Sequence, residues 1–354
     1  MASPSELLAS LSPRVREEGI ILSSFLLALL LGAGLFALLG ADPLEAYWGM
    51  LRGAFGSSES ALSTLARAVP LVLSALSIST AFSAGVWNIG AEGQLYVGAF
   101  AAAFAGFALP ALPHLPMLLV VGALGVLAGA LWAYLPGRMA QDLDMNLVVL
   151  TIMLNSVALL ATDWLATGPF AAPEETTGST PQILAAARFA KFSGLSALHT
   201  GVFWALLAAG GVIFLSLFTV FGYECRMIRL NARFAAYGGV DVRGRRLTAM
   251  TLSGALAGLA GTLLVMGDHY RFLTGISPGY TWTGMILAMM VCYHPVGATA
   301  AALLYAAMSS GALEMELLTD VPSEVVEIIM TSAVLFVTAG LSWADRLADR
   351  IRED

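Results

Sequence analysis

The sequence predicts an all-α polytopic membrane protein with about ten transmembrane helices, and three observations predict it. Of 354 residues, 58% are hydrophobic and only 12% charged, against roughly 25% charged in soluble domains, and mean hydropathy is +0.81. The apolar residues fall in runs of about 17–25, long enough to cross ~30 Å of hydrocarbon at ~1.5 Å per residue. Most of the charge lies in a few stretches between those runs.

The first run, residues 20–39, follows Arg14 and Arg16. It exceeds the ~7–15 residues of a signal-peptide core and lacks a small-x-small cleavage site, so it reads as a retained helix. The next runs are residues 62–83, 95–112, 117–135, 147–166, 201–221, 247–266, 283–293, 296–312 and 325–341. The eighth has only eleven residues and reads as re-entrant or broken. Threading with the N-terminus inside puts Arg14, Arg16, Arg138, the six arginines from Arg226 to Arg246, Arg346, Arg350 and Arg352 in the cytoplasm. Arg52, Arg67, Arg188, Lys191 and Arg271 are left outside, and this bias of twelve to five predicts N-in and C-in. One transmembrane domain, 1–354, then has a cytoplasmic N-terminus at 1–19, an external segment at 41–61, a long external loop at 167–200 and a cytoplasmic tail at 342–354. The second half of the long loop is amphipathic and could lie flat on the membrane.

The remaining cytoplasmic segment, 222–246, holds six of the seventeen basic residues: Arg226, Arg229, Arg233, Arg243, Arg245 and Arg246. Residues 226–237 have few helix breakers and predict one short helix outside the bilayer, with Gly238, Gly239 and Gly244 supplying turns. Such an island is a docking surface for a soluble partner.

Between the second and third runs stands GVWNIGAEGQ, residues 85–94. Its glycines break regular helix, and Trp87, Asn88, Glu92 and Gln94 carry polar atoms that hydrocarbon penalises unless they face protein or water. It is either a broken-helix element lining a passage or a cytoplasmic turn with a solvated glutamate, and residue chemistry alone does not separate the two. Thr151, Asn155 and Thr162 fall within ~40° of one another on the fifth helix. That stripe suits interhelical hydrogen bonding, with a passage lining as the alternative. Gly254, Gly258 and Gly261 share one face of the seventh helix, and Gly125 and Gly129 repeat the pattern in the fourth; both read as close helix packing. The external segment 267–283, with Tyr270, Tyr280 and Trp282, leads directly into the short eighth helix. A transporter would put its passage at two such irregular elements.

Several function classes are excluded or disfavoured. A phosphate-binding P-loop needs GxxxxGK[ST], but the only lysine, Lys191, follows AAARFA. If ATP drives this protein, another polypeptide hydrolyses it. No HExxH, Asp-rich cluster or nucleophile motif is present, and the four histidines are scattered, so no metal, cofactor or catalytic residue is expected. Cys225 and Cys292 fall on the cytoplasmic face, where no disulfide forms. Membrane-embedded acid is scarce, with Glu92 the main candidate, which disfavours the alternative of a stand-alone secondary transporter or channel.

Three stretches resemble the permease subunits of ATP-binding-cassette importers for nucleosides and simple sugars, within the branched-chain amino acid/sugar permease group. GVWNIGAEGQ is similar to that family's G-x-x-N-I-G-x-E-G-Q almost residue for residue. RMIRLNARFAAYGGVDVRGRRLTAMTLSGALAGLAG resembles its cytoplasmic loop and following helix, and GISPGYTWTGMILAMMVCYHPVG its third motif. Departures occur at Met227–Arg229, Arg233 and Gly238, and in the third motif at Trp282 and Met289–Tyr293. The resemblance implies a type II-like importer permease in a bacterial inner membrane. Arg226, Arg229, Asn231, Arg233, Ala235, Ala236, Tyr237 and Gly239 would form a coupling helix seated on a cytoplasmic ATPase, which would bind the ATP and Mg²⁺. Trp87, Asn88, Glu92, Gln94, Asn155 and Trp282 would be passage residues for a nucleoside-like or sugar-like solute. The implied partners are that ATPase, a second permease, paralogous or identical, an extracytoplasmic solute-binding protein and membrane lipid; no nucleic acid is expected. Thr180-Pro181-Gln182 in the long loop is similar to the longer of two paired permeases, which suggests the paralogue.

Overall fold

The computed structural model describes residues 13–173, 178–192 and 197–353. Parts of the 1–19 segment and of the 167–200 loop, and the last residue of the tail, lie outside the described residues. Among the described residues the chain is helical, with two isolated β-bridges and no strand. The helices are α1 (Pro13–Leu38), α2 (Pro43–Phe55), α3 (Ser58–Ser83), α4 (Ala91–Ala108), α5 (His114–Asp142), α6 (Leu147–Thr167), α7 (Val202–Phe218), α8 (Val220–Leu230), α9 (Ala232–Tyr237), α10 (Val242–Leu263), α11 (Tyr280–Met290), α12 (Pro295–Thr319) and α13 (Glu324–Glu353). A π-helical turn, Leu264–His269, extends α10.

Five helices among the described residues are long and apolar enough to cross a membrane: α3, α5, α6, α10 with its π turn, and α12. The number reaches seven if the bent pairs α1–α2 (113°) and α7–α8 (66°) each make one span. The ten apolar runs exceed this partly because α4 begins on Glu92 and Gln94 and α11 has eleven residues, too few to cross ~30 Å of hydrocarbon.

The chain divides into two compact units. The larger, Leu62–Ala288 with Tyr293–Leu303, contains everything the sequence singled out as a site. At its centre α4, α5 and α10 touch backbone to backbone. A Cβ added at Gly98 would lie 2.5 Å from the Cα of Gly258, 2.7 Å from its carbonyl oxygen and 3.0 Å from that of Gly125. One added at Gly129 would lie 2.5 Å from the carbonyl oxygen of Gly254 and 2.6 Å from the Cα of Gly258. The small-residue faces read from the sequence are therefore packing faces, where only hydrogen lets the helices approach. α3 is buried continuously from Ala68 to Phe82, and α11 lies against it with Gly284 over the backbone of Ser74 and Ala75.

The long 167–200 loop is hydrogen-bonded to the rest of the larger unit. Its amides at Thr180, Ile183 and Phe189 donate to the carbonyls of Phe272 (3.1 Å), Tyr270 (2.8 Å) and Met266 (2.9 Å), and that of Leu184 to Gly106 (2.9 Å). Ile183, Ala187, Phe189 and Leu198 are buried beneath it. The amphipathic pattern of its second half gives the loop an inner face, docked on the end of α10.

The smaller unit comprises Met1–Ala61, Met289–Cys292 and Leu304–Asp354. There α1 packs on α13, with Gly32 against Ile329. The 41–61 segment, expected from the sequence to lie outside, contains α2. Asp42 caps it, accepting from the Leu44 amide (2.8 Å), and Pro43 opens its first turn. Gly49 and Gly53 of α2 abut Met315 and Gly311 of α12, and Arg52 pairs loosely with Glu314 (3.8 Å).

Candidate functional site

The break between α3 and α4 is an interior strut. Gly85 turns the chain at φ +67°, where an L side chain is strained and where the backbone of Arg229 in α8 stands close by. Asn88 and Gln94, both buried, exchange amide hydrogen bonds: Asn88 Nδ2 donates to Gln94 Oε1 (2.8 Å) and Gln94 Nε2 to Asn88 Oδ1 (3.0 Å). Asn88 Nδ2 also donates to Ser253 Oγ of α10 (2.9 Å), and Ser77 Oγ of α3 lies 3.0 Å from the same hydroxyl. One polar chain therefore joins α3, α10, the turn and α4 where hydrocarbon offers no alternative partners.

The rest of the motif has equally local reasons. Gly90 and Gly93 let α4 close on α6: Cβ atoms there would lie 2.9 Å from the Thr151 carbonyl oxygen and 3.0 Å from the Asn155 Cα. Asn155 Oδ1 in turn accepts the Gly93 amide. Glu92 reaches the first turn of α11, where its Oε2 accepts from the Thr281 amide (3.1 Å) and Thr281 Oγ1 (2.5 Å). Ser277 Oγ accepts the Gly279 and Tyr280 amides at 3.3 and 3.1 Å, so the start of the short helix is capped from two sides.

Of the six residues expected to line a passage, Asn88, Glu92 and Gln94 are thus buried and bonded to protein, and Asn155 is partly buried beside them. A turn with a solvated glutamate is not what forms. Trp87 and Trp282 are the exposed members, at 48% and 45%. The Trp87 ring rests on Phe82 (4.7 Å between centroids), which stacks on Tyr293 (4.5 Å). Thr151 and Thr162 are buried, and Thr162 Oγ1 donates to the Ala158 carbonyl (2.8 Å), so the α6 stripe is internal packing. Sequence reasoning missed Ser77, Ser253 and Thr281. The first two lay in runs of small residues, and nothing at Thr281 announced a partner in residue 92.

The basic segment folds differently from the single helix expected over 226–237. Asn231 takes an extended conformation (φ −157°, ψ 100°), ends α8 and caps α9 by accepting the Phe234 amide at 3.0 Å. α8 buries Gly222, Cys225 and Ile228, a spacing of three that marks one inner face. α9 buries only Ala235. Arg226, Arg229, Asn231, Arg233, Ala236, Tyr237 and Gly239 are exposed, and so are Phe234 and Tyr237, by 67% and 93%. Arg245 pairs with Glu224, and Arg226 donates to the Ser216 carbonyl, which tie the segment to α7 and α10.

At the opposite, loop-covered end of α10, His199 is 6% exposed, stacks on Phe189 (5.7 Å) and accepts the Gly201 amide at Nδ1 (3.2 Å). Burial lowers its pKa to about 4; Asp268 opposes the shift and Lys191 adds to it. Among the described residues no group of three His, Cys, Asp or Glu side chains converges on a metal position.

Residues 60–339 match the family described as the branched-chain amino acid transport system permease component. The chain belongs to this family. Among its relatives, the guanosine ABC transporter permease protein NupP of Bacillus subtilis is 33% identical over 321 residues, covering 90% of this chain and 92% of the relative. The glucose ABC transporter permease protein TsgB13 of Haloferax volcanii is 30% identical over 328 residues (88% and 84%). The nucleoside ABC transporter permease protein NupB of Lactococcus lactis subsp. cremoris is 28% identical over 333 (92% and 91%). No solved structure matches. The resemblance read from the three motifs therefore holds, and this permease component is a non-catalytic, multi-pass membrane protein.

Proposed function

We propose that this permease is one of a pair forming the solute path of an ATP-driven importer for a nucleoside-like solute, with a simple sugar as the second candidate. The first solute is favoured by the 33% identity to a guanosine permease, the second by the 30% identity to a glucose permease. In this reading the chain lies N-in and C-in with about ten crossings in a bacterial inner membrane. A receptor delivers solute from outside, and two cytoplasmic ATPases bind ATP and Mg²⁺.

The observation that carries the reading is α9. It is a short helix set off by Asn231 and the Gly238–Gly239 turn, with two aromatic rings uncovered in a field of arginines. Exposed Tyr, Phe and Arg on one small element are the composition of an interface centre. The ATPase seats there, and its closure moves α8 and α10, between which α9 is strung. Coupling is mechanical, a switch between two packings of helices. Trp87 and Trp282 offer rings to the solute, whereas Asn88, Glu92, Gln94 and Asn155 hold the elements that present them.

Replacing Arg229 and Arg233 by glutamate is expected to abolish solute-stimulated ATP hydrolysis in the reconstituted importer while the permease still inserts. Stimulation that survives the double reversal refutes the docking role. Uphill transport by the purified permease alone refutes the importer.

A further inference from the structure

A cleft of about 300 Å³ opens beside the Gly85–Trp87 turn, between the C-terminal end of α5, the start of α6 and the start of α10. Its walls are mostly apolar, with Leu247 and Met250 on one side and the half-exposed Trp87 on another. Its polar side chains are largely spent on the protein. Gln141 Nε2 donates to the Arg243 carbonyl (2.9 Å), and Asn146 Oδ1 accepts the Val148 and Val149 amides at 3.0 and 3.3 Å. The exception is Arg246. Its Nε–H is buried without a hydrogen-bond partner among the described residues, and its guanidinium lies beside Gly85, within 3.9 Å of where a Cβ there would stand. A desolvated donor on a cation is costly to leave unmatched, and the Trp87 ring is already held by Phe82, itself stacked on Tyr293.

One aromatic face plus one guanidinium fork with an unspent donor select a flat ring carrying hydrogen-bond acceptors on its edge. Arginine meets the O6 and N7 acceptors of guanine in this way, whereas adenine presents an amino donor at the same place. The volume lies at the lower end of small-molecule pockets, the size class of one nucleoside. We propose that this cleft is a binding site for 6-oxopurine nucleosides, with the base on Trp87 and its O6/N7 edge toward Arg246. The inference rests on the nucleoside reading above and adds a site separate from the receptor. Because Arg246 lies in the second turn of α10, just beyond the proposed docking segment, the site lies on the cytoplasmic face, where solute already imported can occupy it.

The test uses the importer complex without its receptor in phosphatidylcholine nanodiscs, with radiolabelled guanosine as probe. Saturable binding is expected, with adenosine, cytidine and ribose competing about tenfold or more less well. R246A and W87A should each weaken binding about tenfold or more, and L247W, which fills the cleft, should abolish it. Adenosine or ribose competing as well as guanosine, a comparison that needs no variant, overturns the proposal. So does R246A or W87A binding like the wild type. Displacement of guanosine by phosphatidylglycerol, against unchanged binding in phosphatidylcholine, assigns the guanidinium to a lipid headgroup and also overturns it. Receptor-driven guanosine uptake is measured alongside. Uptake without receptor-independent binding sinks the cleft alone, whereas absence of nucleoside uptake sinks the functional reading and leaves binding to decide the cleft.

Discussion

Replacing Asn88 with leucine tests the interior strut. Asn88 takes part in two bonds with Gln94, one with Ser253 and one with the Gly90 amide. Leucine is close in size, so the volume changes little while all four bonds go. Ser253 keeps Ser77 as a neighbour at 3.0 Å, but the Gln94 amide, 1% exposed, loses both partners. Each buried group left unsatisfied costs about 1–3 kcal/mol, so N88L should lose about 4 kcal/mol in total. Gln94→Leu leaves Asn88 with Ser253 and Gly90 and should cost about half as much. The double variant removes both amides together, and its loss should fall short of the sum of the singles by about 2 kcal/mol. Thermal unfolding in detergent reads this out: at about 2–4 °C per kcal/mol, N88L melts about 10 °C low. If N88L lies within about 0.5 kcal/mol of the wild type, or the two substitutions simply add, the reciprocal amide pair is not what holds this turn.

Further outcomes follow from other parts of the fold. Gly98→Ala forces α4 away from α10, because the new carbon would meet the Gly258 backbone at 2.5 Å; it should cost about 1–3 kcal/mol by overpacking, whereas Gly211→Ala, with nothing within 4 Å, should not lower the melting temperature. Glu92→Ala uncaps α11, so the Thr281 amide should lose protection from hydrogen exchange by about 1–2 kcal/mol while the α5 amides do not change. His199 has its folded pKa depressed to about 4 from the ordinary 6.5, so the unfolded loop binds more protons between those values. The docked loop therefore keeps its full stability above about pH 6.5 and loses up to about 3 kcal/mol as pH falls to about 4. Hydrogen exchange at Phe189 and Thr200 should accelerate over that window, and His199→Gln should flatten the profile.

Much of this architecture is legible in the residues themselves. The glycine faces of α5 and α10 announce backbone contact, and the eleven-residue eighth run is a short helix in the structure, shifted to Tyr280–Met290. Asp42-Pro43, a cap followed by a first-turn proline, is a local signal for α2, a helix too short to show as a long apolar run. Asn231 was another, since asparagine competes for backbone donors and starts helices better than it continues them. What no local pattern could disclose is partnership at a distance. Glu92 is a solvated turn residue or a helix cap according to whether Thr281, 189 positions later, stands beside it. Ser253 is a small residue among glycines until Asn88 arrives. The 167–200 loop likewise shows its inner face only once Phe272 and Met266 present their carbonyls.

The glycine seams of α4, α5 and α10 have one more consequence. Where main chains meet directly, no layer of side chains remains that could compress, slide or change rotamer. These three rods are therefore expected to travel as a single solid body in the transport cycle proposed above. That leaves the hydrogen-bonded joint to the short helix and the jointed basic segment ahead of α10 as the places to absorb its stroke.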